Sequence, residues 1–138
     1  MHGRPPGNDE PRERRDAMAR ALAVQQRASG LGFDWQEPAG ALQKVFEEAE
    51  EVAALVTTEA DARAAIQAEV GDLLFAVVNL ARLAHVDPAD ALDQATRKFR
   101  VRFQEVERLA RARGLPLPGT ALELLDGIWD EVKRREHQ

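Results

Sequence analysis

Two clusters of carboxylates stand out along this 138-residue chain: Glu47, Glu48 and Glu51, then, after seventeen intervening residues, Glu69 and Asp72. At about 100° per residue the first three lie within an arc of about 100° on a helix, and Glu69 and Asp72 stand about 60° apart one turn along. Each group is therefore a stripe. If the two segments form a helical hairpin turning at Thr57-Thr58-Glu59-Ala60, Glu48 and Glu69 are nearly equidistant from the turn, and so are Glu47 and Asp72. The stripes then meet at one height. Acids gathered in that way raise one another's pKa unless a cation is present. Oxygen-only ligation, without His or Cys, favours Mg2+, with Mn2+ as a substitute, over zinc or copper.

Taken alone, the first stripe reads as a solvated acidic face. Leu42, Val45, Ala49, Val52 and Val56 form an apolar face on roughly the opposite side of the same helix, and Lys44, four residues before Glu48, reads as its surface ion pair. The second stripe changes that balance. Residues 71–84 are apolar nearly all round, the mark of a helix surrounded by protein, yet they include Asp72 and, seven residues later on the same face, Asn79. An unpaired carboxylate buried there costs several kcal/mol, so it needs a partner. Ferritin-like di-iron bundles also use inward Glu residues but need Glu-x-x-His pairs. Here the residue three after Glu48 is Glu51 and the residue three after Glu69 is Asp72.

The elements that must position these side chains are helices. The chain is alanine-rich, lacks tyrosine, and from about residue 13 repeats apolar residues at spacings of three and four. Gly30, Gly32 and Pro38, then Asp87-Pro88, then Gly114, Pro116, Pro118 and Gly119 break the pattern. Five helices are predicted, over 13–29, 39–57, 60–85, 88–113 and 120–135, as one bundle domain over 13–138. Asp87 with Pro88 makes one helix start, and Thr120 with Glu123 a capping box for another. The polar lead 1–12 is expected to be disordered and to carry no targeting signal, giving a cytoplasmic protein. The absence of cysteine excludes thiolate zinc sites and cysteine nucleophiles. A net charge of -5 argues against a general nucleic-acid binder, and no apolar run was expected to reach the roughly 20 residues of a membrane span. The apolar surplus of the third helix predicts self-association.

The ordered set of Glu47, Glu48, Glu51, Glu69 and Asp72, with GFDW at 32–35, KVFEEAEEV at 44–52, KFRVRF at 98–103 and the terminal IWDEVKRRE, resembles MazG-type nucleoside triphosphate pyrophosphohydrolases. The resemblance covers roughly residues 20–136. It implies an all-α NTP pyrophosphatase fold, a homodimer or homotetramer, and Mg2+-dependent hydrolysis of an NTP or dNTP to monophosphate and pyrophosphate, a nucleotide-pool housecleaning activity. It further implies Glu48, Glu51, Glu69 and Asp72 as metal ligands and Glu47 as an acid that either binds metal or positions water. Lys44, Lys98 and Arg102 match phosphate-contacting positions, and Trp129 a nucleotide-contacting one.

From their spacing alone, Lys98 and Arg102 share a helix face and can clamp one triphosphate, or else form a solvated basic edge facing Glu105 or Asp93. Asn79 is expected to hold either a carboxylate or the substrate, or to bond a neighbouring helix. Phe99 and Phe103 read as core, Trp35 and Trp129 as packing or stacking residues, and His85 as a helix-end residue. Two other readings remain open: a noncatalytic helical interaction module, and a related pyrophosphohydrolase for dUTP, dCTP or a phosphoribosyl nucleotide.

Overall fold

A computed structural model describes residues 16–58 and 60–137. The described residues contain five helices and no strand: α1 (Ala17–Gly30), α2 (Pro38–Val56), α3 (Arg63–Leu83), α4 (Pro88–Ala112) and α5 (Leu122–Glu136). The expected lead and the first residues of the first helix lie outside the described residues, as does Glu59 of the expected hairpin turn. The contacts divide the chain into two compact units, with the division between Asp90 and Ala91.

In the first unit α3 packs against both α2 and α1. Gly32 closes α1: at φ 92° it adopts the left-handed conformation that lets the Phe33 N–H return to the Ala28 carbonyl at 2.9 Å. Pro38 then opens α2 at a position whose N–H has no partner in any helix. The end of α3 uses the same device with a side chain, His85 standing at φ 59° while Val86 N–H reaches the Ala81 carbonyl at 2.8 Å. His85 is thus a helix-end residue, as its position before Asp87-Pro88 suggests. Asp87 caps the next helix, its Oδ1 accepting from the Asp90 N–H at 3.0 Å.

In the second unit Val106, Leu109 and Ala110 of α4 form a buried cluster with Ile128 and Val132 of α5, flanked by Leu115, Leu117, Leu125 and Trp129. Thr120 does not cap α5. The helix starts after Ala121 without a side-chain cap, and the Thr120 hydroxyl donates back to the Pro116 carbonyl at 2.6 Å. The tight Pro-Gly loop offers that carbonyl first, which overrides the capping-box pattern.

Three expectations about packing are corrected. The buried residues of α2 are Ala41 and Glu48, while Leu42, Phe46 and Val56 are exposed. Of the acidic stripe Glu48 is therefore turned inward, together with the half-buried Val45 and Val52 of the apolar stripe, while Glu47 and Glu51 are exposed. Within one chain α3 is not surrounded by protein: Ala76, Val78 and Asn79 are buried, but Leu74, Phe75 and Val77 are exposed. Phe99 and Phe103 are exposed rather than core, their rings stacked on each other 5.8 Å apart. By length and composition alone, α3 is also long and apolar enough to cross a bilayer. Its Glu69, Asp72, Asn79 and Arg82 are nevertheless drawn into a polar site.

Candidate active site

Helix α2 presents Glu48 and Glu51 toward Glu69 of α3, and one carboxylate oxygen from each lies within 4.8 Å of the other two. The α2–α3 pairing creates this because Glu48 and Glu69 lie near equal distances from the connection. Glu48 is 6% exposed, and its Oε1 accepts from Lys44 Nζ at 3.1 Å. That contact keeps the lysine charged beyond its ordinary range. Glu48 Oε2 and Glu69 Oε2 are both buried without a partner. Hydrogen bonding from the protonated Glu69 to Glu51, with burial and the nearby Glu51 and Glu48 charges, pushes the Glu69 carboxyl up to about 7.

This donor set fits a divalent cation. Three hard oxygen ligands already lie together, two of the trio's oxygens, on Glu48 and Glu69, are buried without a partner, and one lysine is too little charge to balance three acids. Asp72 stands apart from this trio but shares a cavity wall with Lys44 and Glu48. Glu47 is half-exposed and pairs with Lys44 at 3.8 Å.

The cavity, of about 760 Å3, extends from Lys44, Glu48 and Asp72 to an apolar stretch lined by Val24, Ala28, Phe33, Trp35 and Phe75. Its far rim is held by an ion pair that the sequence reading missed. Arg82 donates to both Asp34 oxygens at 2.7 Å and to Asn79 Oδ1 at 2.9 Å. Its guanidinium holds the Asp34 carboxyl well below the usual carboxylate range. Asn79 is thus bound to Arg82 on its own helix, not to one of the clustered acids, and it also lines the cavity. GFDW at 32–35 was the available signal: an Asp between two aromatics after a helix-ending glycine, with Arg82 as the cation in the facing apolar helix.

The other residues singled out in the sequence belong to the second unit. Arg102 donates from Nε to both Glu136 oxygens at 2.9 Å and lies 5.9 Å from the Trp129 ring centre. Glu105 and Asp93, its expected counter-charges, pair instead with Arg108 and Arg97. Trp129 also meets Phe99 at 5.3 Å between ring centres. Lys98 is exposed.

Among the described residues, two helices of one unit gather three carboxylates, one of them on a cavity wall, and this donor set suits a divalent cation. The profile described as the MazG nucleotide pyrophosphohydrolase domain matches residues 36–107, and the chain belongs to that family. It is 42% identical over 120 residues to a protein of Escherichia coli strain K12 named nucleoside triphosphate pyrophosphohydrolase, covering 87% of this chain and 46% of that relative. It is likewise 42% identical over 117 residues to a Thermotoga maritima protein named nucleoside triphosphate pyrophosphohydrolase/pyrophosphatase MazG, covering 85% of this chain and 44% of the relative. A third match, the uncharacterized protein YabN of Bacillus subtilis, is 41% identical over 73 residues, or 53% of this chain and 15% of the relative. The chain spans about half the length or less of these curated relatives.

Proposed function

We propose that this chain hydrolyses nucleoside or deoxynucleoside triphosphates to the monophosphate and pyrophosphate, with Mg2+, or Mn2+ in its place, held by Glu48, Glu51, Glu69 and Asp72. The observation that carries the reading is the trio of carboxylates with two orphaned buried oxygens, one member of which, Glu48, lines a nucleotide-sized cavity beside Lys44 and Asp72. The named relatives support the same reaction.

When bound, the cation supplies positive charge against the phosphate chain. The chain's own residues do the rest. Lys44, already poised at the cavity wall, exchanges its contact with Glu48 for a phosphate oxygen. Glu47, accessible and uncommitted to the trio, orients the attacking water by accepting its hydrogen bond. The water oxygen attacks the α-phosphorus and passes its proton to Glu47, the bond to the bridging oxygen breaks, and pyrophosphate leaves with that oxygen. Lys98 and Arg102 are proposed to contact phosphates and Trp129 the nucleotide, on the strength of the family resemblance. The exposed Leu74, Phe75 and Val77 of α3 support a homodimer or homotetramer as the working form. A cytoplasmic role clearing unwanted nucleotides from the pool follows from this activity.

The test is a panel of canonical, deoxy and oxidised triphosphates with and without Mg2+ or Mn2+, with products separated by chromatography. Monophosphate and pyrophosphate are expected, only with metal, and Glu48→Gln is expected to lose at least about 100-fold in kcat/KM. Diphosphate and orthophosphate as products, or undiminished turnover in Glu48→Gln, would refute the assignment.

A further inference from the structure

The connection between α1 and α2 contributes Gly32, Phe33, Asp34 and Trp35 to the cavity lining, yet apolar burial does little to hold it there. Leu31 is 78% exposed and Phe33 84%, so the hydrophobic effect leaves their places nearly free. What ties the segment to α3 is polar. Arg82 donates to both oxygens of Asp34 at 2.7 Å, and both side chains are largely shielded from water. Asp34 Oδ1 also accepts from the Trp35 main-chain N–H at 2.9 Å, which couples the fork directly to the next residue. The Trp35 indole in turn lies so close to Gly40, near the start of α2, that a Cβ there would stand 2.6 Å from the ring. Phe75, on α3, is fixed separately: Gln25 of α1 donates from Nε2 to its main-chain carbonyl at 2.9 Å.

A shielded ion pair of this kind adds little net stability over apolar side chains of the same size, because both charges must leave water. Its distinctive property is geometry. Guanidinium and carboxylate meet through two parallel bonds in one plane, so the fork permits one placement where an apolar contact permits many. Phe75, Asn79 and Arg82 stand at i, i+4 and i+7 on one face of α3, and the bond from Arg82 to Asn79 Oδ1 anchors the guanidinium to that face. The helix that bears Phe75 therefore also bears the anchor for Phe33 and Trp35. The opposite end of the cavity carries Lys44, Glu48 and Asp72, a charged end for phosphates, which leaves the aromatic end to a ring.

We propose that Arg82 and Asp34 are positioning residues for the substrate, their fork holding Phe33 and Trp35 at the spacing from Phe75 that seats the nucleotide ring. This rests on the nucleotide reading given above and adds to it the residues that preset the ring's end of the cavity. Neither side chain touches the phosphates or the metal in this assignment. The seat they hold serves ground state and transition state alike, so loss of the fork raises KM and leaves kcat nearly unchanged. A contact that only stabilises the fold lacks that signature, because the folded fraction of a variant keeps the wild-type KM.

The test uses Arg82→Lys, which keeps the charge but replaces the fork by a single contact, and Asp34→Glu, which keeps the carboxylate but displaces it by one methylene. In each, KM for nucleoside triphosphates is expected to rise about 10-fold with kcat within about twofold of the wild type. Inhibition by inorganic tripolyphosphate, which has no ring, is expected to be unchanged. The double variant should be no worse than the worse single one, as befits two halves of one contact. An unchanged KM in the folded single variants overturns the proposal. So do an equal weakening of tripolyphosphate, which marks Arg82 as a phosphate contact, and effects that multiply in the double variant. A second measurement needs neither turnover nor a variant of the pair. Free adenosine, guanosine, cytidine and uridine are titrated against the isotope-labelled full chain, and the Trp35 indole N–H resonance, assigned with Trp35→Phe, is followed. At least one nucleoside is expected to shift it, and to bind about 10-fold more weakly to each variant. If none moves it in the wild type, the proposal falls whether or not the variants fold. If the wild type forms no pyrophosphate from any triphosphate yet binds a nucleoside that both variants hold more weakly, the positioning assignment stands and the pyrophosphohydrolase reading falls.

Discussion

Replacing Glu69 by Gln isolates the electrostatics of the acidic trio, because it removes one charge and keeps the shape. In the folded chain Glu69 titrates at about 7, against 4.5 for an unperturbed carboxyl, with the bond to Glu51 the largest cause. A raised acid pKa means that the folded state binds more protons than the unfolded state between those two values. Stability without metal therefore falls as pH rises from about 4.5 to about 7 and levels off above that. The proton is also what a divalent cation must displace. A group titrating near 7 is roughly nine-tenths protonated at pH 6 and roughly one-tenth at pH 8, so Mg2+ or Mn2+ binding should release roughly 0.9 proton per ion at the lower pH and roughly 0.1 at the higher. Calorimetric titration of the ion in buffers of different ionisation heat measures this number directly. Glu69→Gln should release almost none at either pH, bind the ion about 10- to 100-fold more weakly, and lose the fall in metal-free melting temperature between pH 4.5 and 7. Proton release at pH 6 that is absent in the wild type, or undiminished in the variant, would show that Glu69 does not take part in holding the ion.

Further perturbations test the supports of the site. Asp34→Asn removes the negative charge and one of the two acceptors opposite the largely buried Arg82, and should destabilise by about 3 kcal/mol in chemical denaturation at pH 7; a loss below about 1 kcal/mol would mean that the loop is not held there. Gly40→Ala places a methyl carbon 2.6 Å from Trp35 Cδ1, so the indole must leave its seat; altered Trp35 emission and a several-fold weaker affinity for nucleosides are expected, with metal binding preserved. Ile128→Ala empties part of the α4–α5 cluster and should cost about 2–4 kcal/mol, read by thermal unfolding.

The acidic trio was legible in the sequence because it depends only on helical phase and on two helices meeting across a short connection. Both are local properties. The facing of α2 was not legible in the same way. Its apolar residues form a regular stripe, and the ordinary expectation buries such a stripe, but here Glu48 is turned inward and Leu42 and Phe46 outward. An amphipathic pattern reports two faces without stating which one a site will claim. Gln25 and the Asp34–Arg82 pair were missed for a different reason. Their partners lie 50 and 48 residues away, and neither a lone glutamine in an amphipathic helix nor a lone arginine near a helix end carries a spacing signal. Thr120 erred in the other direction, because a four-residue motif competed with a loop carbonyl that lay closer.

Helix α3 carries Asp72 and Asn79 seven residues apart, and both border the same cavity. Seven residues are nearly two whole turns, which returns to almost the same azimuth after about 10 Å of rise. Under the proposed function the helix serves as a gauge, fixing the distance between the two ends of the cavity. A single residue inserted between these positions would swing one end by about 100° and disconnect the two without altering either. By the same logic, a ligand with a shortened or lengthened sugar–phosphate bridge should be rejected by misfit along the axis, even when its base and its phosphates are each correct.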